Sequence, residues 1–352
     1  MSLAPDEADA AREAGPSPRR PLVTLAALVV VIWGLRELRT ALLPICFGLL
    51  LAVLGAPARR WLMRHRVPAR VASVTVVAVI VGGGWLLAFA LEQTLARFAA
   101  VVPTYRARVE SLLADLVSAL ASLGIDADPK LLVSSLEPRT WMTFLGQSLG
   151  GAVGLLSAVL LALFILFFAL LEVDRIRARL GQQLGASYDE PRLLRLSTAL
   201  QRYLGVKLAT SALTGLCAYA ACALFGAPFP ALWGLVAFVL NFVPIIGSIV
   251  AAVPPVALVL VDPDLSWRIA LPLAIVYLAI NNLISNLLEP LLMGQQIGIS
   301  PLAVLLSIVF WGWLWGPGGM FLAVPLTLAV DFLLEHNRDL RFLTALIGRR
   351  PG

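Results

Sequence analysis

Charge is what this sequence has least of: only 14% of its 352 residues are Asp, Glu, Lys or Arg. A soluble domain carries about a quarter, because a globule needs a charged surface to stay in water. The shortage excludes a soluble fold and makes lipid part of the solvent. Lysine is nearly missing, with Lys130 and Lys207 alone among basic residues that are otherwise arginine; by itself this has no functional weight. The two histidines, His65 and His336, lie far apart and near arginines, and neither is expected to bind metal. Cys46, Cys217 and Cys222 sit inside apolar runs without metal-ligand spacing, where thiols behave as small apolar side chains. The sequence has no GxxxxGK[ST] loop, no Ser/His/Asp elbow and no HExxH. Nucleotide hydrolysis is therefore excluded, no enzyme activity, metal or cofactor is expected, and energy coupling falls to an ion gradient or a partner. The net charge of +6 is not gathered into one patch, so nucleic acid is not an expected partner.

What is present is apolar sequence, 60% of the chain, in long runs. The expected fold is an all-α polytopic integral membrane protein with about eight hydrophobic segments, where about 20 residues cross a bilayer; the first two segments are short for a span, and two others are long and broken by Pro and Gly. Residues 1–21 are polar and read as a disordered cytoplasmic N-terminus. Residues 22–91 hold three spans, at 22–35, 41–54 and 71–91, the first an uncleaved helix rather than a signal peptide. Residues 92–148 carry mixed charge and an apolar helical period at Val109, Leu112, Leu113, Leu116, Leu120 and Leu123, which predicts an amphipathic region outside the membrane. A fourth span covers 149–171, residues 172–207 predict amphipathic helices, and 208–334 form a core that ends in a polar tail at 335–352. Arginine clusters at 59–70, 175–207 and 338–350 mark cytoplasmic ends. Both termini are then cytoplasmic, and 92–148 lies outside.

Two apolar stretches, 229–261 and 301–334, exceed 30 residues, too long for one straight crossing of a core about 30 Å thick. Both are interrupted by helix breakers. The first contains Asn241, Pro244, Gly247 and Ser248, followed by Pro254 and Pro255; the second contains Gly316, Pro317, Gly318 and Gly319, followed by Pro325. Residues 247–254 also align without gaps to 318–325, with glycine, alanine, valine and proline at the same offsets. Paired broken segments point to a transporter's binding site, because irregular backbone is tolerated at membrane depth only where it faces protein or a cavity. Two geometries remain open. Each segment is either a re-entrant hairpin, which makes the two copies inverted, or a kinked single span, which makes them parallel.

Between them lie Asn282, Ser285, Asn286 and Glu289, followed by Pro290, spaced to share one helical face. Polar groups in lipid are costly, so such a stripe faces protein, water or solute. It reads as a wall of a translocation path with Glu289 carrying a proton or cation, or as a packing face held by amide hydrogen bonds. Asp331 is the other acid in an apolar run and reads as a helix-end residue or a second member of the path.

The run of Tyr203-Leu-Gly205, Asn241 to Gly247, Asn282 to Pro290, Ile299 to Leu302 and Gly316 to Leu326 resembles the AI-2E family of transporters, also called PerM-like permeases. The resemblance implies a bacterial inner-membrane protein of about eight hydrophobic segments that exports small molecules such as the autoinducer-2 signal, some members exchanging cations for protons. Its partners are then the lipid bilayer and a small-molecule or ion substrate, and a homo-oligomer is expected. A passive channel and a non-transporting scaffold are the alternatives. A channel has no need of a carrier acid, and a scaffold has no need of intramembrane polar groups.

Overall fold

The computed structural model describes residues 19–122, 152–184, 190–244, 246–262, 265, 267–293 and 300–334. Among the described residues all regular structure is helical, and four helices are long and apolar enough to cross a membrane: Arg39–Arg64, Ala69–Tyr105, Leu193–Leu224 and Trp267–Met293. Shorter apolar helices accompany them. The chain is a polytopic α-helical membrane protein. The N-terminus to residue 18, residues 123–151 of the amphipathic region and the next span, and the tail from 335 lie outside the described residues.

Helices α1 (Arg19–Glu37) and α2 (Arg39–Arg64) part at Leu38. α2 ends where Arg66 takes a left-handed φ of 65° ahead of Pro68, and α3 (Ala69–Ser122) starts at once. At about 1.5 Å per residue α3 is roughly 80 Å long, far beyond a membrane core of about 30 Å. Residues 92–122 are therefore the continuation of the third span's own helix. α4 (Ala152–Leu184) and α5 (Glu190–Leu224) follow, so residues 172–184 and 190–207 extend two long helices. α4 packs between α2 and α3 on Ala52, Val76, Leu166 and Leu170.

α5 is the spine of the core. The next helix, α6 (Pro230–Leu240), returns against it so closely that a Cβ on Gly215 would stand 2.7 Å from the Gly234 carbonyl oxygen. Small residues permit that approach, which gains dispersion contacts where lipid offers no hydrophobic drive. After the break at 241–245 come α7 (Ile246–Val261), α8 (Trp267–Asn281), a π-helical segment (Asn282–Leu288) and α9 (Glu289–Met293), then α10 (Pro301–Trp315) and α11 (Pro317–Leu334). Ser300 caps α10 by accepting from the Ala303 amide at 3.1 Å, the expected arrangement for a serine ahead of an N1 proline.

Candidate functional site: two hairpin tips and a buried polar seam

Both broken segments fold back on themselves. Phe98 of α3 meets Phe229 and Trp233 at the start of α6, with ring centroids 5.5 and 5.7 Å away. Two turns later on α3, Tyr105 donates to the carboxylate of Asp262, just past the end of α7, at 3.1 Å. Seven helical residues span about 10 Å, whereas α6 and α7 laid end to end would reach over about 40 Å. The two ends of 229–261 are thus neighbours, and its tip is the irregular stretch at Asn241–Pro244. Gly247 packs on the Leu240 carbonyl there, leaving no room for a side chain. In the second segment Gly316 turns the chain at φ 70°, and α10 and α11 run antiparallel. The Ser307 hydroxyl lies 2.9 Å from the Ala323 carbonyl, and the Trp311 indole donates to Thr327 at 3.1 Å. Gly247 and Gly318 are each the second residue of a hairpin's second leg, and Pro254 and Pro325 each the ninth. The short internal match thus falls on equivalent positions.

α5 fixes the direction of each hairpin. Ala218 and Cys222 share a core with Leu232, Trp233 and Val259 of the first hairpin. Ser211, nearer the N-terminus of α5, accepts from the Asn241 amide at its tip at 3.1 Å. Leu200 and Leu204, nearer still, share a core with Val324 and Leu328 of the second. The tips meet where Phe242 stacks on Phe321, centroids 4.7 Å apart and planes 20° from parallel. The first hairpin therefore opens toward the C-terminal end of α5 and the second toward its N-terminal end: they are inverted. The second tip is also held from outside the pair. Trp315 donates to the Leu35 carbonyl at 2.9 Å, Arg36 lies 5.3 Å over the Trp313 ring, and a Cβ on Gly318 would press on Leu43.

Lys207 sits on α5 at the level where the tips meet, between Leu204 and Ser211. Its ammonium donates to both carboxylate oxygens of Glu289 at 3.0 Å, and the pair is deeply enclosed, Lys207 being 3% exposed and Glu289 13%. One turn away Arg202 donates to the Leu292 carbonyl at 3.1 Å, so α5 grips α9 at two points. Tyr203, Lys207, Thr210, Ser211 and Thr214 are all buried on the same face of α5. With Asn241, which accepts from Ser248 at 3.5 Å, and Glu289 they form a polar seam through the protein interior. The seam offers hydroxyls and amides along its length and one compensated ion pair at its middle, chemistry suited to a hydrogen-bonding solute.

The sequence placed Lys207 with a cytoplasmic basic region, but it lies inside the apolar stretch Leu193–Leu224. A signal was available: Tyr203, Lys207, Thr210, Ser211 and Thr214 recur at helical spacing, and Lys207 is one of two lysines among arginines. The expected stripe on the other helix divides. In the π-helical segment the Glu289 amide bonds to the Ile284 carbonyl, five residues back, and this wider turn breaks the 3.6-residue register. Ser285 bonds Asn281 at 3.1 Å and Glu289 points inward. Asn282 and Asn286 are exposed and bond one another at 2.9 Å, Asn282 also donating to the Leu278 carbonyl. Pro290 is exposed in the first turn of α9, Pro244 is half-buried in the first tip, and Pro325 is buried inside α11. Asp331 lies in the last described turn of α11 but is 2% exposed, so it belongs to the protein interior and not to a solvated helix end.

The AI-2E family transporter model matches residues 22–339 of this chain. The chain is 35% identical over 328 residues to the AI-2 transport protein TqsA of Escherichia coli K12, covering 93% of this chain and 95% of TqsA. It is 30% identical over 332 residues to YhhT of the same organism, 94% of each chain. A Haemophilus influenzae protein is 28% identical over 336 residues, 94% of this chain and 96% of its own. The last two carry names that give transport provisionally and no solute.

Proposed function

The chain belongs to the AI-2E family of transporters, and on that premise we propose that it is a secondary-type transporter that exports a small polar solute across the bacterial inner membrane. The observation that carries this reading is the inverted meeting of two hairpin tips over a buried polar seam. A solute that moves along α5 must pass between Phe242 and Phe321, so the tips part during transport. In the described conformation they are closed. An autoinducer-2-like solute fits the seam's hydroxyl and amide chemistry and the name of the relative TqsA. Cation-for-proton exchange is the second reading. It requires Glu289 to release the Lys207 ammonium, which occupies both of its oxygens, so the pair favours a neutral solute.

With the arginine clusters inside, both termini are cytoplasmic, the first hairpin opens outward and the second inward. A cysteine at Trp267, exposed at the start of α8, should then react with a membrane-impermeant thiol reagent added from outside; reaction only from the cytoplasm reverses the orientation. The outward Asn282–Asn286 ladder, exposed among Leu278, Leu283 and Leu287, supports a homo-oligomer, since amides facing lipid gain from a protein neighbour. Transport itself is tested in proteoliposomes with a pH dye inside, offering sodium, potassium and an autoinducer-2 preparation in turn. The reading expects autoinducer-2 movement without obligatory proton flux. Proton flux driven by a cation alone supports the exchange reading instead, and no flux of any solute contradicts transport.

A further inference from the structure

α2 ends in a basic cleft that the transport path does not use. Pro57, Ala58, Arg60, Trp61 and Arg64 line an open depression of about 490 Å³. Arg66 and Arg70 follow, and all four arginines are exposed. No Asp or Glu occurs between Glu37 and Glu92, so neither α2 beyond its start nor the membrane-spanning part of α3 offers a carboxylate to these guanidinium groups. Arginine in a last helical turn is ordinarily explained by the helix dipole, which one cation near the C-terminal carbonyls already satisfies. Here two side chains one turn apart share a cleft, and one of them is oriented from elsewhere. The Arg60 guanidinium donates to Gln201 of α5 at 2.8 Å, using one of its five N–H groups and fixing the plane of the rest. Trp61 is 59% exposed and packs on His65 with centroids 4.3 Å apart, the placement of an indole at the boundary of hydrocarbon and headgroups.

We infer that this cleft binds the phosphodiester of an anionic phospholipid in the leaflet that meets the C-terminal end of α2. Arg60 and Arg64 grip the phosphate oxygens, and Trp61 packs along the acyl–glycerol boundary. Guanidinium forks match phosphate geometry, and basic pockets between membrane helices recognise anionic headgroups. Through Gln201, two residues before Tyr203, the occupied cleft also steadies the end of α5 that leads into the polar seam.

The test measures thermal stability and lipid affinity of the full chain in nanodiscs of phosphatidylcholine with and without phosphatidylglycerol, and in phosphatidylcholine with added inorganic phosphate. Phosphatidylglycerol should stabilise the wild type. Affinity should fall about fivefold for Arg60→Gln and again for Arg64→Gln, the factor one surface charge of a polybasic site contributes. Arg268→Gln, an exposed arginine on α8 outside the cleft, should behave as wild type and show that the substitutions act by place and not by net charge. Stabilisation that survives in the double variant, or that Arg268→Gln removes equally, overturns the assignment. So does a wild type indifferent to phosphatidylglycerol. Stabilisation by inorganic phosphate alone, equal to that by the lipid, assigns the cleft to a free ion and overturns the lipid reading.

Discussion

Removing either partner of the Lys207–Glu289 pair should destabilise the protein strongly, and removing both should restore most of the loss. The pair is largely buried and doubly hydrogen-bonded, so a single deletion strands a charge with little access to water, typically at about 3–5 kcal/mol. The double variant replaces the ion pair by two uncharged side chains and should lie near wild type, so the single losses fail to add by about 6 kcal/mol or more. Unfolding in mixed micelles titrated with a denaturing detergent would read this out, the nine tryptophans supplying the signal. A double variant as unstable as the sum of its singles would show that the two residues do not stabilise the protein as a pair.

Asn241→Ala should cost about 1–3 kcal/mol, because it leaves the buried Ser211 hydroxyl without its amide donor and unties the first tip from α5, and the same unfolding titration measures it. Gly247→Val should displace that tip, since a side chain there meets the Leu240 carbonyl, with a loss of about 1–3 kcal/mol. Gly205→Ala is the contrasting case: with open space around it inside α5 it should gain up to about 1 kcal/mol from helix propensity, and a loss would mean that the backbone at Gly205 needs a neighbour to approach. Replacing Asn282 and Asn286 together by leucine should leave the subunit's unfolding unchanged while weakening its self-association in chemical crosslinking, and unaltered crosslinking would remove that face from the proposed interface.

The membrane class was legible because a charge shortage is a property of the whole chain and needs no contacts to interpret. The two broken segments were legible for a similar reason: their length against a fixed bilayer thickness leaves a kink or a hairpin, and proline and glycine mark the place. Choosing between those geometries required Phe98 and Tyr105 to meet residues far along the chain. Lys207 was hidden by its neighbours, since a lysine that follows several arginines reads as one more cytoplasmic charge until its burial is seen. The face of Asn282 was misjudged because 3.6-residue periodicity was applied to a segment whose hydrogen bonds run five residues back. Asp331 stands four residues before a polar tail, and only packing distinguishes a buried acid from a solvated one.

The proposed transport path requires the two hairpin tips to part. Cysteines placed at Phe242 and Phe321, whose rings stack 4.7 Å apart, in a chain with Cys46, Cys217 and Cys222 replaced, would allow the tips to be joined by oxidation or a short thiol crosslinker. Autoinducer-2 flux in proteoliposomes should stop on crosslinking and return on reduction. Undiminished flux through the crosslinked protein would mean that the solute does not pass between the tips, and the transport path would have to lie elsewhere.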